Sequence, residues 1–508
     1  MFPHVTALVF ILLAFLVARD NALLNGLLPD LDDLLPTLDL SLLQPAAADE
    51  APISPSQDPF YATPTNISSY REGEIVRDRL LPNEIKSGPT TTYTAGRVYQ
   101  YMYRSRDSTD NPAANVATLI VPPGPANNRT LLSFASAYDS PNPDCVPSYA
   151  IRPGSPAPFG ALSVDAMQLS VALDRGWYVV TSDYMGINGA FPAGRQMGFA
   201  ILDSVRGALS SRARSTTGLA ADARWAQYGY SIGSFGSGLA AEMARSYAPP
   251  LSRGALVGSA LGGTVPNGTS LFLQNAGGAG GGLLFSAFLG LSKAYANFSA
   301  LFAAEAGPAR RPTFVYVGDN DVEVNNRRGV GRDVFDYLQS GRAVLFSETF
   351  RTVTSGASQQ GVHGAPDTPL YVFKGARDEI SARADTELLV DTYCGANASA
   401  SVLYEVNTVA GHADEQLLGA PAAYDWIAGQ FASGGGGAGT AGCARREVSL
   451  FSMSAAEILS FYGLAAAVDM ADRLGIPFAL ARRGWVRISK AKLKLSTSLR
   501  DHRLAWTG

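Results

Sequence analysis

Ser231 stands in the pentapeptide Gly229-Tyr230-Ser231-Ile232-Gly233, a G-x-S-x-G pattern. A serine hydroxyl is a weak nucleophile and needs a base to take its proton. Histidine is the usual base, and the chain has only 4: His4, His363, His412 and His502. The base needs an acid that fixes its tautomer and stabilises its charged form. Sites built on this pentapeptide run serine, acid, histidine along the chain. His412, in Val409-Ala410-Gly411-His412, follows a strand-like run and precedes an amphipathic one, which suits the base. His363 lies in a glycine-rich loop ahead of the preferred acid, His502 in a basic tail and His4 in the leader. The acid is read as Asp378, which follows the run Leu370-Tyr371-Val372-Phe373-Lys374. Its rivals are Glu379 beside it, and Asp319 or Asp321 after the similar run 313–317. Asp378 is preferred because its strand directly precedes the one leading to His412. Two backbone N–H groups should receive the oxyanion: that of Ile232, and one from the loop Ala137-Tyr138-Asp139-Ser140, where Asp139 is the candidate.

The pentapeptide alone occurs by chance, so its setting decides. Residues 225–230 read as a strand and 234–247 as a helix. A sharp turn between them would hold Ser231 in a strained conformation, and the flanking glycines remove side chains that would collide there. The helix N-terminus would add free N–H groups and a positive dipole end. Further strand-like runs are 99–104, 116–121, 131–136, 177–182, 254–260, 370–374 and 402–406. Helical patterns fall at 164–175, 197–210 and 413–431. This alternation predicts an α/β fold, a mostly parallel sheet with helices on both faces. Residues 58–263 and 366–443 form the two parts of the core. Residues 264–365, with a glycine stretch at 277–282 and helical text at 283–302, are expected to be an inserted, mainly helical cap or lid. A glycine-rich joint, 433–442, leads to a C-terminal helical flap, 444–481, with a helix at 455–474. A basic tail, 482–508, closes the chain.

The chain has 508 residues, 46% hydrophobic and 17% charged, enough apolar material for a large core. A net charge of -4 lacks the basic footprint that nucleic acid requires. Residues 1–18 include an apolar run, 5–18, too short to span a bilayer comfortably and suited to a cleaved signal peptide. Residues 19–57 read as a propeptide or linker, and no later segment is apolar enough to span a membrane. Sequons at Asn66, Asn128, Asn267, Asn297 and Asn397 agree with secretion. With 3 cysteines the fold rests on its core.

The residues resemble the fungal secretory lipases of the yeast lipase A type. The resemblance is carried by Asp58-Pro59-Phe60-Tyr61, Gly73-Glu74-Ile75-Val76-Arg77, Ala137-Tyr138-Asp139-Ser140 and Cys145-Val146-Pro147-Ser148-Tyr149. Further matches are Arg175-Gly176-Trp177-Tyr178-Val179-Val180 with Asp183, Leu202-Asp203-Ser204-Val205-Arg206, Gly229-Tyr230-Ser231 with Ala240-Ala241-Glu242, Lys374-Gly375, Asp378-Glu379 and Gly411-His412. It covers roughly 58–480. It implies an α/β-hydrolase core with an inserted helical lid, triacylglycerol hydrolysis without a cofactor, the triad Ser231, Asp378, His412, and an oxyanion hole at Asp139 and Ile232. A Cys394–Cys443 bridge, expected to close the C-terminal segment over the preceding helix, is also what the family favours. Cys145 is then a free thiol or an intermolecular partner. The chain departs from the family pattern at Ile232, at Phe199 in Gly198-Phe199-Ala200, and at Ile380-Ser381-Ala382.

The leading expectation is therefore a secreted serine hydrolase that cleaves lipid esters at an oil–water interface through an acyl-enzyme. A soluble carboxylesterase or peptidase on the same core is the first alternative. A non-catalytic secreted binding protein on a hydrolase scaffold is the second.

Overall fold

The computed structural model describes residues 51–88, 91–124, 126–160, 164–252, 254–318, 320–395, 401–435, 442–450 and 460–462. Ala48–Lys86 and Thr92–Leu450 make one compact unit, which carries every element below. Of the second unit, the described part is a turn in which Ser87 N–H and its hydroxyl both donate to Thr91, and helical residues 460–462. The leader, the sequon at Asn397 and the basic tail lie outside the described residues, as do most of residues 19–57.

The strands are β1 (Ile75–Leu81), β2 (Glu84–Lys86), β3 (Thr92–Thr94), β4 (Arg97–Arg106), β5 (Pro112–Val121), β6 (Thr130–Ala135), β7 (Tyr178–Ser182), β8 (Arg224–Tyr230), β9 (Leu256–Gly262), β10 (Leu370–Gly375), β11 (Val402–Asn407) and β12 (Cys443–Val448). Strands β2 and β3 pair as a small hairpin. The other ten form one sheet in the order β1-β4-β5-β7-β6-β8-β9-β10-β11-β12. Pairings from β1 to β7 are antiparallel, and those from β7 onward are parallel. Every residue of β6, β7, β9 and β10 is buried, which is why these strands read as near-continuous apolar runs.

The main helices are α1 (Val164–Asp174), α2 (Gly194–Ala208), α3 (Ile232–Tyr247), α4 (Gly268–Asn275), α5 (Gly281–Ala294), α6 (Ala296–Gly318), α7 (Val322–Gly329), α8 (Arg383–Gly395), α9 (His412–Leu418) and α10 (Ala420–Ser433). Helix α3 packs on α2, and Tyr393 of α8 donates to Glu242 of α3, so these three share one face of the sheet. On the other face, Tyr424 of α10 donates to the Gln168 carbonyl of α1.

Three elements differ from the sequence expectation. The single helix expected over 413–431 is two, because Pro421 has no N–H to continue the ladder past Gly419. The strand-like run 313–317 is helical, the last part of α6, which bends at Gly307 where φ is 55°. Ahead of the helix expected at 455–474, the segment 444–481 opens with an unexpected strand, β12, paired in parallel with β11. Only 460–462 of the expected helix 455–474 are described, and they are helical. Strand β1, the hairpin and β12 were not anticipated.

Candidate active site

Ser231 sits between β8 and α3 with φ 55° and ψ −122°. This is a region that non-glycine residues rarely occupy. The turn is tight enough to dictate its neighbours. A Cβ at Gly229 would lie 2.3 Å from the Gly233 carbonyl oxygen, and one at Gly233 would lie 2.0 Å from that of Ala135. Ser231 N–H donates to the Gly262 carbonyl at the end of β9 (2.9 Å), and its carbonyl accepts the first helical bond, from Phe235 (3.0 Å). Its hydroxyl makes no capping bond and reaches His412 Nε2 at 2.9 Å.

His412 is the first residue of α9, and four further contacts fix it. Its N–H donates to Glu379 Oε2 (2.9 Å), its carbonyl accepts from the Tyr230 hydroxyl (2.6 Å), and the Tyr230 ring lies 5.2 Å away, centroid to centroid. Its Nδ1 lies 2.7 Å from Asp378 Oδ2. Because an ionised carboxylate only accepts, Nδ1 is the protonated nitrogen and Nε2 is free to accept from Ser231.

Asp378 is wholly buried at its side chain and follows β10. Its Oδ1 accepts from the N–H groups of Ile380 (2.9 Å) and Ser381 (2.8 Å), and its Oδ2 from His412 and from Lys374 Nζ, both at 2.7 Å. Burial raises its proton affinity, but His412 and Lys374 outweigh this and hold the carboxyl below its usual range. Burial pulls the Lys374 ammonium down, and Asp378 opposes the fall.

The rival acids lie elsewhere. Glu379 holds the backbone of His412, not its ring. Asp321 caps α7, accepting from the N–H groups of Glu323 and Val324. Asp319 lies outside the described residues. His363 donates its backbone N–H to Glu242, away from Ser231. His4 and His502 lie outside the described residues.

Asp139 lies in the loop after β6 and has φ 35°. Asp165 anchors that loop, accepting from the Ser136 hydroxyl, the Ala137 N–H (2.6 Å) and the Gln416 amide of α9. Among the described residues, neither the Asp139 nor the Ile232 N–H donates a hydrogen bond, although both residues are buried. Buried backbone donors are almost always paired, so two unpaired N–H groups stand out in this core. Burial, with Asp165 adding to it and His412 opposing, pushes the Asp139 carboxyl up to about 7.

Cys394 and Cys443 are bonded, with Cα atoms 5.9 Å apart, tying α8 to β12. Cys145 is free and buried, with its thiol pushed up to about 12 by burial, so an intermolecular bridge there does not fit. Among the described residues no group of three or more His, Cys, Asp or Glu could hold a metal, and no helix is long and apolar enough to cross a membrane.

The sequence assigned no role to Lys374, Asp165 or Tyr230, and offered Glu379 only as a rival acid. For Lys374 there was a signal: a lysine ending an apolar strand must find a partner for its charge.

The family described as Secretory lipase matches residues 153–437. The chain is similar to lipase A of Arthroderma benhamiae, 32% identical over 392 residues, which are 75% of this chain and 80% of that one. It is similar to the trichothecene C-3 esterase of Fusarium sporotrichioides, 31% identical over 398 residues, 76% of this chain and 86% of that one. Among solved structures it is similar to Candida antarctica lipase A, with a TM-score of 0.72 at 24% identity, over 83% of this chain and 96% of that one. This last likeness bears on the fold.

Proposed function

The chain belongs to the secretory lipase family, and on that premise we propose that it hydrolyses carboxylic esters of lipids through an acyl-enzyme on Ser231. The observation that carries this reading is the continuous chain of hydrogen bonds from Ser231 Oγ through His412 to Asp378.

In the reaction His412 Nε2 takes the Ser231 proton as Oγ attacks the ester carbonyl. The carbonyl oxygen becomes an oxyanion, received by the N–H groups of Ile232 and Asp139. The Ile232 donor stands at the N-terminus of α3, whose dipole favours the negative charge. As the C–O bond breaks, His412 gives its proton to the leaving alkoxide, and the alcohol departs. Water then enters, loses a proton to His412 and attacks the acyl carbon. Ser231 takes the proton back as the carboxylic acid leaves. Asp378 stays ionised throughout and stabilises the imidazolium of each transition state.

The substrate is proposed to be a glyceride at an oil–water interface, with residues 264–365 serving as its lid and secretion as the compartment. The family name and the named lipase relative support this. A second reading is favoured by the esterase relative: a smaller, monomeric ester. Rates measured across an ester chain-length series, below and above the point where the substrate forms an emulsion, separate the two. A rise on emulsification supports the lipase reading, and its absence supports the second. For the chemistry itself, Ser231→Ala is expected to lower kcat by about 10^4-fold or more on any ester the enzyme accepts. An unchanged rate would refute it.

A further inference from the structure

Lys374 does more than fill its place in the strand. Its side chain is fully buried at the end of β10, where an ammonium is costly unless it is closely paired. It donates to Asp378 Oδ2 at 2.7 Å and to the Thr264 carbonyl at 3.2 Å. His412 Nδ1 contacts the same Oδ2, also at 2.7 Å. The ammonium and the imidazole are therefore less than twice that distance apart, with one carboxylate oxygen between them.

Orientation alone does not call for this. Two backbone N–H groups already fix Asp378 Oδ1, and Asp378 and Tyr230 already fix the histidine. What the lysine adds is a full positive charge beside a ring that becomes positive during the reaction. We infer that Lys374 is a positioning residue of the site: seated on the oxygen that holds His412, its buried ammonium opposes protonation of that imidazole in the resting enzyme and so keeps the base free at more acidic pH. The inference rests on the triad reading above.

The other groups facing this cluster are acidic or neutral. Glu379 holds the His412 backbone, Asp414 lies by Gly411, Asp385 acts on Lys374, Glu415 acts on Asp378, and Asp139 acts on His412. Tyr230 is neutral, its hydroxyl raised well above its ordinary value by burial and neighbouring carboxylates. Glu415 and Asp139, raised to about 8 and about 7 mainly by burial, carry little charge in mildly acidic solution. Among these described groups Lys374 is thus the only cation set against the carboxylates that favour a charged His412.

The test is the second-order rate at which a fluorophosphonate modifies Ser231 in the full-length enzyme, from pH 4 to pH 9. Rates are normalised to active sites, so only the folded fraction counts. Lys374→Met and Lys374→Gln remove the charge, and Lys374→Arg keeps it. The acid limb is expected to move to higher pH by about one unit or more in the Met and Gln variants, and to stay near the wild-type position in the Arg variant. A residue with only a packing role would lower the plateau and leave the limb in place. Limbs that coincide in wild type, Met and Gln variants, or that move equally in the Arg variant, overturn the inference. A Ser231→Ala enzyme that still turns over would instead overturn the triad reading beneath it.

Discussion

Asp378 holds four donors on two oxygens, and that arrangement sets what its loss should do. Asp378→Asn keeps the shape but presents an amide N–H or a weaker acceptor to Nδ1. The imidazole can then adopt the wrong tautomer, and its charged form loses its stabilising partner. A fall in kcat of about 10^3–10^4-fold is expected, with KM little changed, measured on a soluble short-chain ester. Asp139 carries a prediction of the opposite kind. Its carboxyl, pushed up to about 7, is neutral in mild acid and charged in mild base. Its own N–H is a proposed oxyanion donor, so a negative side chain there would oppose the developing charge. Turnover should therefore decline as pH rises through about 7, and Asp139→Asn should remove that decline. Asparagine tolerates the positive φ at this position. A pH profile of kcat for the two enzymes from 6 to 9 decides it.

At the scale of elements, two ties hold the frame around the site. The Cys394–Cys443 bridge joins residues 49 apart, and a loop of that size constrains the unfolded chain by about 4 kcal/mol on the chain-entropy account. The Cys394→Ser, Cys443→Ser double variant is expected to lose about 2–4 kcal/mol in urea unfolding. Gln360 accepts from the Thr264 hydroxyl and donates to the carbonyls of Ser234 and Phe235, binding both ends of the 264–365 segment to the first turn of α3. Gln360→Leu leaves the buried Thr264 hydroxyl without this acceptor and should cost about 1–3 kcal/mol, read the same way. How visible such elements are in the sequence follows from their burial. Strands β6, β7, β9 and β10 are covered on both faces and read directly as apolar runs. Edge strands β1 and β12 carry Arg-Asp-Arg and Arg-Arg-Glu, so no apolar pattern marks them. The run 313–317 has strand-like text, yet it packs as helix: Phe314 sits among Phe285, Phe288 and Phe302. The order Ser231, Asp378, His412 was legible because motif and chain order constrain it. The Asp165 and Glu379 contacts were not, because each joins segments that meet only in the folded chain.

For the whole molecule, buried carboxyls govern the response to pH. Burial raises Asp183 and Glu242 to about 7, Asp165 and Asp203 to about 6, and Glu415 to about 8. The native state binds these protons more tightly than the unfolded chain, so their stabilisation is full below the unfolded carboxyl range and is lost as pH rises through 6 to 8. Glu72 and Asp378 act the other way. In Glu72 a backbone bond and Arg104 and Arg106 outweigh burial and bring the carboxyl to about 2, and Asp378 is held down by His412 and Lys374. Their stabilisation is present above about pH 4 and lost below it. Tm should therefore be higher at pH 5 than at pH 8.5, and the reverse order in a calorimetric scan would contradict the assignment. Secretion would leave its own mark. Asn66, Asn128 and Asn297 are exposed, so deglycosylation of the secreted enzyme should convert each to aspartate, detectable by mass. The central claim is that Ser231 is a nucleophile activated by His412. Its most direct test is peptide mapping after treatment of the folded enzyme with a fluorophosphonate. The account predicts a single adduct on Ser231 in the wild type and none in the same time in His412→Ala. An unmodified Ser231 in folded wild-type enzyme, or equal modification with His412 removed, would contradict it.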